Sequence, residues 1–172
     1  LLSDTRLSAP QFGFYSHRVG DSWLAGGASN SGGKVLLKYF TRERIAALSA
    51  QINPETDSGL DYYPLASDGE RFPIADPALK PKISPRPDDD ALFLKGLLEG
   101  IASVEALGYR RLTELGGPPL TSVRTVGGGA VNDVWSRIRE RKLGVPLLPA
   151  RREEAAAGTA RLALQGARKA GI

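Results

Sequence analysis

The sequence predicts an α/β domain, a mixed sheet flanked by helices, and three observations carry that prediction. Short β-capable runs alternate with helix-patterned segments through the second half of the chain. The junctions between the two kinds of segment are rich in glycine. The composition is that of an ordinary globular chain, 41% hydrophobic and 24% charged over 172 residues, a length that is one domain as a prior. Strands alternating with helices pack as three layers.

Each element has a local reason. Leu1 to Leu7, LLSDTRL, reads as a strand, and its apolar opening without an initiator methionine predicts a piece of a longer protein with this strand cut short. An unpaired apolar edge there predicts self-association. Gly20-Asp21 between two β-capable stretches predicts a hairpin. Ser29, Asn30 and Ser31 are N-cap candidates for a helix carrying Val35, Leu36, Leu37, Tyr39 and Phe40, and Thr41 for a second, Arg42 to Gln51. Ile52 to Pro87 holds seven of the 12 prolines and little periodicity, which predicts an irregular excursion with a short strand at Tyr62 to Leu65.

Asp88, Asp89 and Asp90 suit the positive end of a helix dipole and open the longest helix, Ala91 to about Leu115. Leu94, Leu97, Leu98, Ile101, Val104 and Leu112 form its apolar stripe. Gly96 and Gly100 each cost roughly 1 kcal/mol relative to Ala inside a helix, so a neighbouring backbone is expected to pass close by. A strand (122–126), a helix (131–142), a strand (145–148) and an alanine-rich helix (153–170) follow.

Composition removes several chemistries. Without cysteine these residues form no disulfide, thiolate metal site or cysteine nucleophile, and a lone His17 is too little for a histidine metal centre. The net charge of +4 is spread along the chain, so no nucleic-acid partner is expected; no window approaches the ~18 uninterrupted apolar residues of a membrane helix, so no membrane is expected, and a cytoplasmic location is. The densest basic run, Arg137 to Lys142, is interrupted by Glu140 at helical spacing and reads as a solvated helix face.

The most informative stretch is SVRTVGGGAVNDVWSRI, a strand running into three glycines and an amphipathic helix. Glycines there let a ligand approach the backbone, and the helix N-terminus offers free N–H groups to an anion. The alternative is a plain tight turn, since neither a Walker A nor a dinucleotide fingerprint is present. Asn132 and Trp135 either contact and cover a purine, or cap the helix and fill the core. WLAGGASNSGGKV is a second strand-to-helix glycine junction, and Asp68-Gly69-Glu70-Arg71-Phe72-Pro73 reads as a salt-bridged turn. His17 stays unassigned for want of a partner carboxylate.

Taken in order, WLAGGASNSGGKVL, GERFP with Asp76-Pro77, FLKGLLEGIA, GGGAVNDVW and EEAAAGTARLA resemble the C-terminal domain of FGGY carbohydrate kinases over nearly all residues, 1–172. YSHRVGDSWLAGGASNSGG and LDYYPL are most similar to the D-ribulose or xylulose kinase branch. The resemblance implies a ribonuclease H-like, actin-like ATPase fold, ATP and Mg²⁺ as cofactors, and transfer of the γ-phosphate to a pentulose hydroxyl. It also implies that Gly128, Gly129, Asn132 and Trp135 contact adenine and ribose, with Gly127 shaping the turn. The catalytic base and the sugar pocket are expected outside these residues, and the chain alone is expected to be inactive. A non-catalytic nucleotide-binding or regulatory module of the same fold is the alternative.

Overall fold

The computed structural model describes residues 1–126, 131–150 and 155–171. Its organising element is α2, Asp90–Glu114, whose N-cap Asp89 accepts a hydrogen bond from the Ala91 N–H at 2.8 Å. The helix is apolar on more than one side: Phe93, Leu94, Leu97, Leu98 and Ala102 are fully buried, and so are Gly96 and Gly100. A helix buried on several faces has to be wrapped.

The wrapping comes from both ends of the chain. One core cluster joins α2 to a 3₁₀ helix (Gly33–Lys38), to α1 (Arg42–Ser49) and to α3 (Asp133–Leu143), through Leu36, Phe40, Leu48, Trp135 and Ile138. A second cluster sits near the other end of the helix, where Leu112 meets Leu7, Ala9, Phe14 and Ala25. The last two belong to an antiparallel sheet of β1 (Leu2–Ser3), β2 (Tyr15–Val19) and β3 (Ser22–Gly26) and its approach, in the order β1-β3-β2. Gly20 at φ 61° makes the β2–β3 turn, as the Gly-Asp pair predicts. β4 (Val123–Arg124) and β5 (Leu147–Leu148) pair in parallel around α3, and α4 (Ala155–Ala170) closes the described chain. The outer face of the three-stranded sheet exposes Leu2, Tyr15 and Leu24, with His17 opposite Leu24. The domain is therefore a mixed α/β structure with helices against its sheets.

The proline-rich excursion is held on α2 by close approach and on the segment after β3 by buried charge. A Cβ at Gly100 would lie 2.7 Å from the Tyr62 carbonyl oxygen, so the expected backbone approach is present there, whereas one at Gly96 would lie 2.7 Å from a Leu60 methyl carbon and is met by side chains alone. Glu70, 2% exposed, accepts from Ser29 Oγ (2.7 Å), Asn30 N (2.7 Å), Arg71 N (2.9 Å) and Tyr63 Oη (3.2 Å). Burial, and then the Glu70 charge, raise the Tyr63 hydroxyl above its ordinary pKa, which keeps it a donor. The turn expected at GERFP keeps a surface ion pair, Asp68 to Lys80, but Glu70 within it is an interior knot.

Several expectations are corrected here. Ser29 and Asn30 do not cap a helix, because Glu70 and the Gly69 carbonyl bind them; the 3₁₀ helix that follows has Gly32 at its N-cap and no side-chain cap. The first strand is two residues long, and the strand expected at 62–65 is a single bridge between Tyr63 and Lys82. The basic run on α3 is not simply a solvated face. Arg139 is buried and grips Glu105 with two bonds of 2.7 Å, because α3 packs on α2. Arg141 reaches the Pro54 and Thr56 carbonyls at 3.0 and 3.1 Å, and also Asp57 and the buried Glu99. Hydrogen bonds from Arg141 and Lys142 hold the Asp57 carboxyl down at about 2.

Two measurements check this packing. Gly100→Val should lower the urea unfolding free energy by about 1–3 kcal/mol through overpacking, whereas Gly166→Ala, with nothing within 4 Å of its added Cβ, should leave it unchanged or raise it. Glu70→Ala strands four donors and should cost roughly 2–3 kcal/mol; Glu70→Gln, which keeps acceptor oxygen, should cost less.

Candidate functional site

Asn132 decides where α3 begins. Its Oδ1 accepts from the Trp135 N–H at 3.0 Å, the bond of an N-cap, and its Nδ2 donates to Ser49 Oγ at 2.9 Å, across to the end of α1. These two bonds draw the first turn of α3 against the 3₁₀ helix and α1. Between them lies a cleft of about 610 Å³. Its apolar walls include Leu37 and Ile45 on one side and Val131 and Val134 on the other, with Asn132 and Ser49 as interior polar groups and Lys34 and Arg42 as exposed cations.

Trp135 belongs to both the core and the cleft. It is 9% exposed and packs with Leu36, Phe93 and Ile138. Its six-membered ring lies beside Gly33, where an added Cβ would come within 3.7 Å, an ordinary contact. The same indole borders a second cavity of about 360 Å³ with Gly27, Ser31, Thr125 and Val126. Trp135 Nε1 and Ser31 Oγ are buried and have no hydrogen-bond partner among the described residues. Buried polar atoms are ordinarily bonded, so these two call for a partner from outside the described residues.

Of the residues expected at the site, Asn132 and Trp135 come together at the cleft wall, and each also fills the structural role left open for it, cap and core. Gly127, Gly128 and Gly129 lie outside the described residues. His17 is exposed on β2, remote from the cleft lining, with no bonded carboxylate among the described residues. Ser49, Lys34 and Arg42 were missed by motif reading. Ser49 carried one signal: it is a polar residue at a position of the apolar stripe Ile45, Leu48, Ile52. No three carboxylate or imidazole groups converge to hold a cation among the described residues.

The fold recurs in known proteins. A xyloylose kinase from Brucella ovis superimposes with a TM-score of 0.79 at 22% identity, over 94% of this chain and 36% of that one. A xylulose kinase from Rhodospirillum rubrum matches at 0.71 and 24% identity over 96% and 35%, and a gluconate kinase from Lactobacillus acidophilus at 0.74 and 18% over 95% and 36%. At these identities the likeness shows the fold, the actin-like ATPase architecture, and the chain spans about a third of the length of the structures it matches. The family model for the C-terminal domain of FGGY carbohydrate kinases covers residues 7–167. With nearly the whole chain inside that match, this protein belongs to the FGGY family of carbohydrate kinases, as its C-terminal domain.

Proposed function

We propose that this domain is the ATP-binding part of a sugar kinase, and that the cleft between α1 and α3 receives the adenosine. The carrying observation is the convergence of an apolar cleft, a capped helix N-terminus and the polar groups of Asn132 and Ser49 on the helix that follows the glycine run in sequence. Apolar walls suit a purine, and the Lys34 and Arg42 side chains at the lining suit an anionic chain. In this reading Gly128 and Gly129 pass beside the nucleotide, Gly127 shapes the turn, Asn132 holds the helix start toward it, and Trp135 closes one side of the purine pocket.

The polypeptide that carries the domain then transfers the γ-phosphate of ATP to a hydroxyl of a pentulose, D-ribulose or D-xylulose. Similarity to xylulose kinases supports the pentulose, and similarity to a gluconate kinase marks the sugar as the less constrained part of the reading. We assign no catalytic base to this chain. The Mg²⁺ that the family implies finds no carboxylate cluster among the described residues, and no step is derived through it. Phosphoryl transfer depends on positioning and charge neutralisation around both reactants, so the 172 residues bind nucleotide without turning it over.

ADP binding measured by calorimetry tests the site. Trp135→Leu keeps an apolar side chain in the core while removing the aromatic wall, and the dissociation constant should rise about tenfold to a hundredfold. Gly129→Val should abolish measurable binding by placing a side chain in the ligand's path. Wild-type affinity in both folded variants overturns the placement of the adenosine. In a coupled assay with D-ribulose and D-xylulose, the 172-residue chain should give no enzyme-dependent turnover; turnover would show that base and phosphate contacts lie within these residues.

A further inference from the structure

The bond between Asn132 and Ser49 leaves one proton unaccounted for. An amide side chain has an accepting and a donating end, and the Trp135 N–H requires the accepting end, Oδ1, at the helix cap. The end that reaches Ser49 is therefore Nδ2, and Ser49 Oγ is the acceptor of that 2.9 Å bond. A hydroxyl that accepts there still has its own hydrogen to give. No other hydrogen bond of the Ser49 side chain occurs among the described residues, although the residue is only 6% exposed. A buried donor without an acceptor is costly, and this one borders the cleft.

The rest of the lining sharpens what such a donor would meet. Leu36, Ile45, Ala46, Val134 and Trp135 offer no side-chain acceptor, and the one carboxylate of the lining, Asp133, is exposed, so the Ser49 donor faces apolar walls in the interior of the cleft. A flat ring with acceptor nitrogens in its plane complements that surface: the ring fills the apolar space and a nitrogen lone pair takes the proton. Adenine carries such nitrogens at positions 1, 3 and 7.

We propose that the Ser49 hydroxyl donates its hydrogen bond to a ring nitrogen of the purine bound in this cleft, with the Asn132 amide fixing the direction of that donation. Ser49 is then a base-reading residue, and the hydrogen bond that caps α3 and the one that reads the base belong to a single relay: Trp135 N–H to Asn132 Oδ1, Asn132 Nδ2–H to Ser49 Oγ, Ser49 Oγ–H to the purine. The inference rests on the nucleotide reading given above.

Uncharged adenosine and its 1-deaza, 3-deaza and 7-deaza analogues, titrated into the 172-residue chain by ligand-observed NMR, test it. Each analogue replaces one ring nitrogen by C–H. The wild type should bind one of the three about three- to tenfold more weakly than adenosine, the loss of one hydrogen bond. Ser49→Ala should bind adenosine with the same deficit and no longer distinguish that analogue; because this is a ratio within one variant, a partly unfolded sample does not imitate it. Asn132→Asp keeps the helix cap but offers only acceptors, so the Ser49 proton turns to the carboxylate and adenosine affinity should fall as in Ser49→Ala. A Ser49→Ala chain that weakens all four ligands alike, or an Asn132→Asp chain with wild-type affinity, overturns the proposal and leaves the nucleotide site standing. A wild-type chain that binds neither adenosine nor ADP overturns both.

Discussion

The structure depends on a single steric constraint: along α2 there is no Cβ where the proline-rich excursion crosses it. At Gly96 and Gly100 the added atom would stand 2.7 Å from its nearest neighbour, nearer than real Cβ atoms come. Removing two side chains costs helix propensity, and in exchange the Tyr62 carbonyl and the side chains of Leu60, Tyr62 and Pro64 lie directly on the helix. From that seat Tyr62 reaches Phe93, with ring centroids 5.9 Å apart, and joins the cluster that includes Leu36, Phe40 and Trp135. The core behind the cleft therefore includes a residue, Tyr62, whose distance from α2 is set by missing atoms.

Buried charge completes what the glycines begin. A carboxylate taken out of water must be matched bond for bond, and Glu70 and Glu99 are matched by groups far away in sequence. Glu70 joins the excursion to the end of β3 through Ser29 and Asn30, while Glu99 on α2 accepts from Ser58 and from Arg141 of α3. Each carboxylate thereby spans elements that no covalent neighbour relation would align. The two sides of the cleft, the segment that follows Ser29 and the start of α3, are referred to one another through α2 rather than through direct packing alone.

This explains which features were legible in the sequence. α2 was, because period and cap residues are local signals; so was the β2–β3 hairpin, which Gly20 turns, and the cap and core roles of Asn132 and Trp135 were both open from a glycine run feeding a helix. The roles of Ser29, Asn30, Arg139 and Arg141 were not. Serine and asparagine before a helix-like run look like caps until a carboxylate about 40 residues away takes their hydrogen bonds. A cation on a helix looks solvated until an acid on another element is folded against it, as Glu105 is for Arg139. Local pattern carries propensity and periodicity, whereas pairing of polar groups is a property of tertiary contact. Ser49 lies between the cases, its position in an apolar stripe visible and its partner not.

The two hydrophobic clusters share α2 as a common rod, one gathered around Phe93 to Ala102 and the other around Leu112. Such an arrangement divides cooperativity. Opening of the sheet end exposes Leu7, Ala9, Phe14 and Ala25 while the residues that shape the cleft keep their own core, so amide protons of β1 to β3 exchange through a smaller excursion than those in the first turns of α2 and in α3. The half of the domain that bears the cleft can thus remain ordered while the sheet breathes, and motion at the sheet reaches the cleft only through the rigidity of one helix.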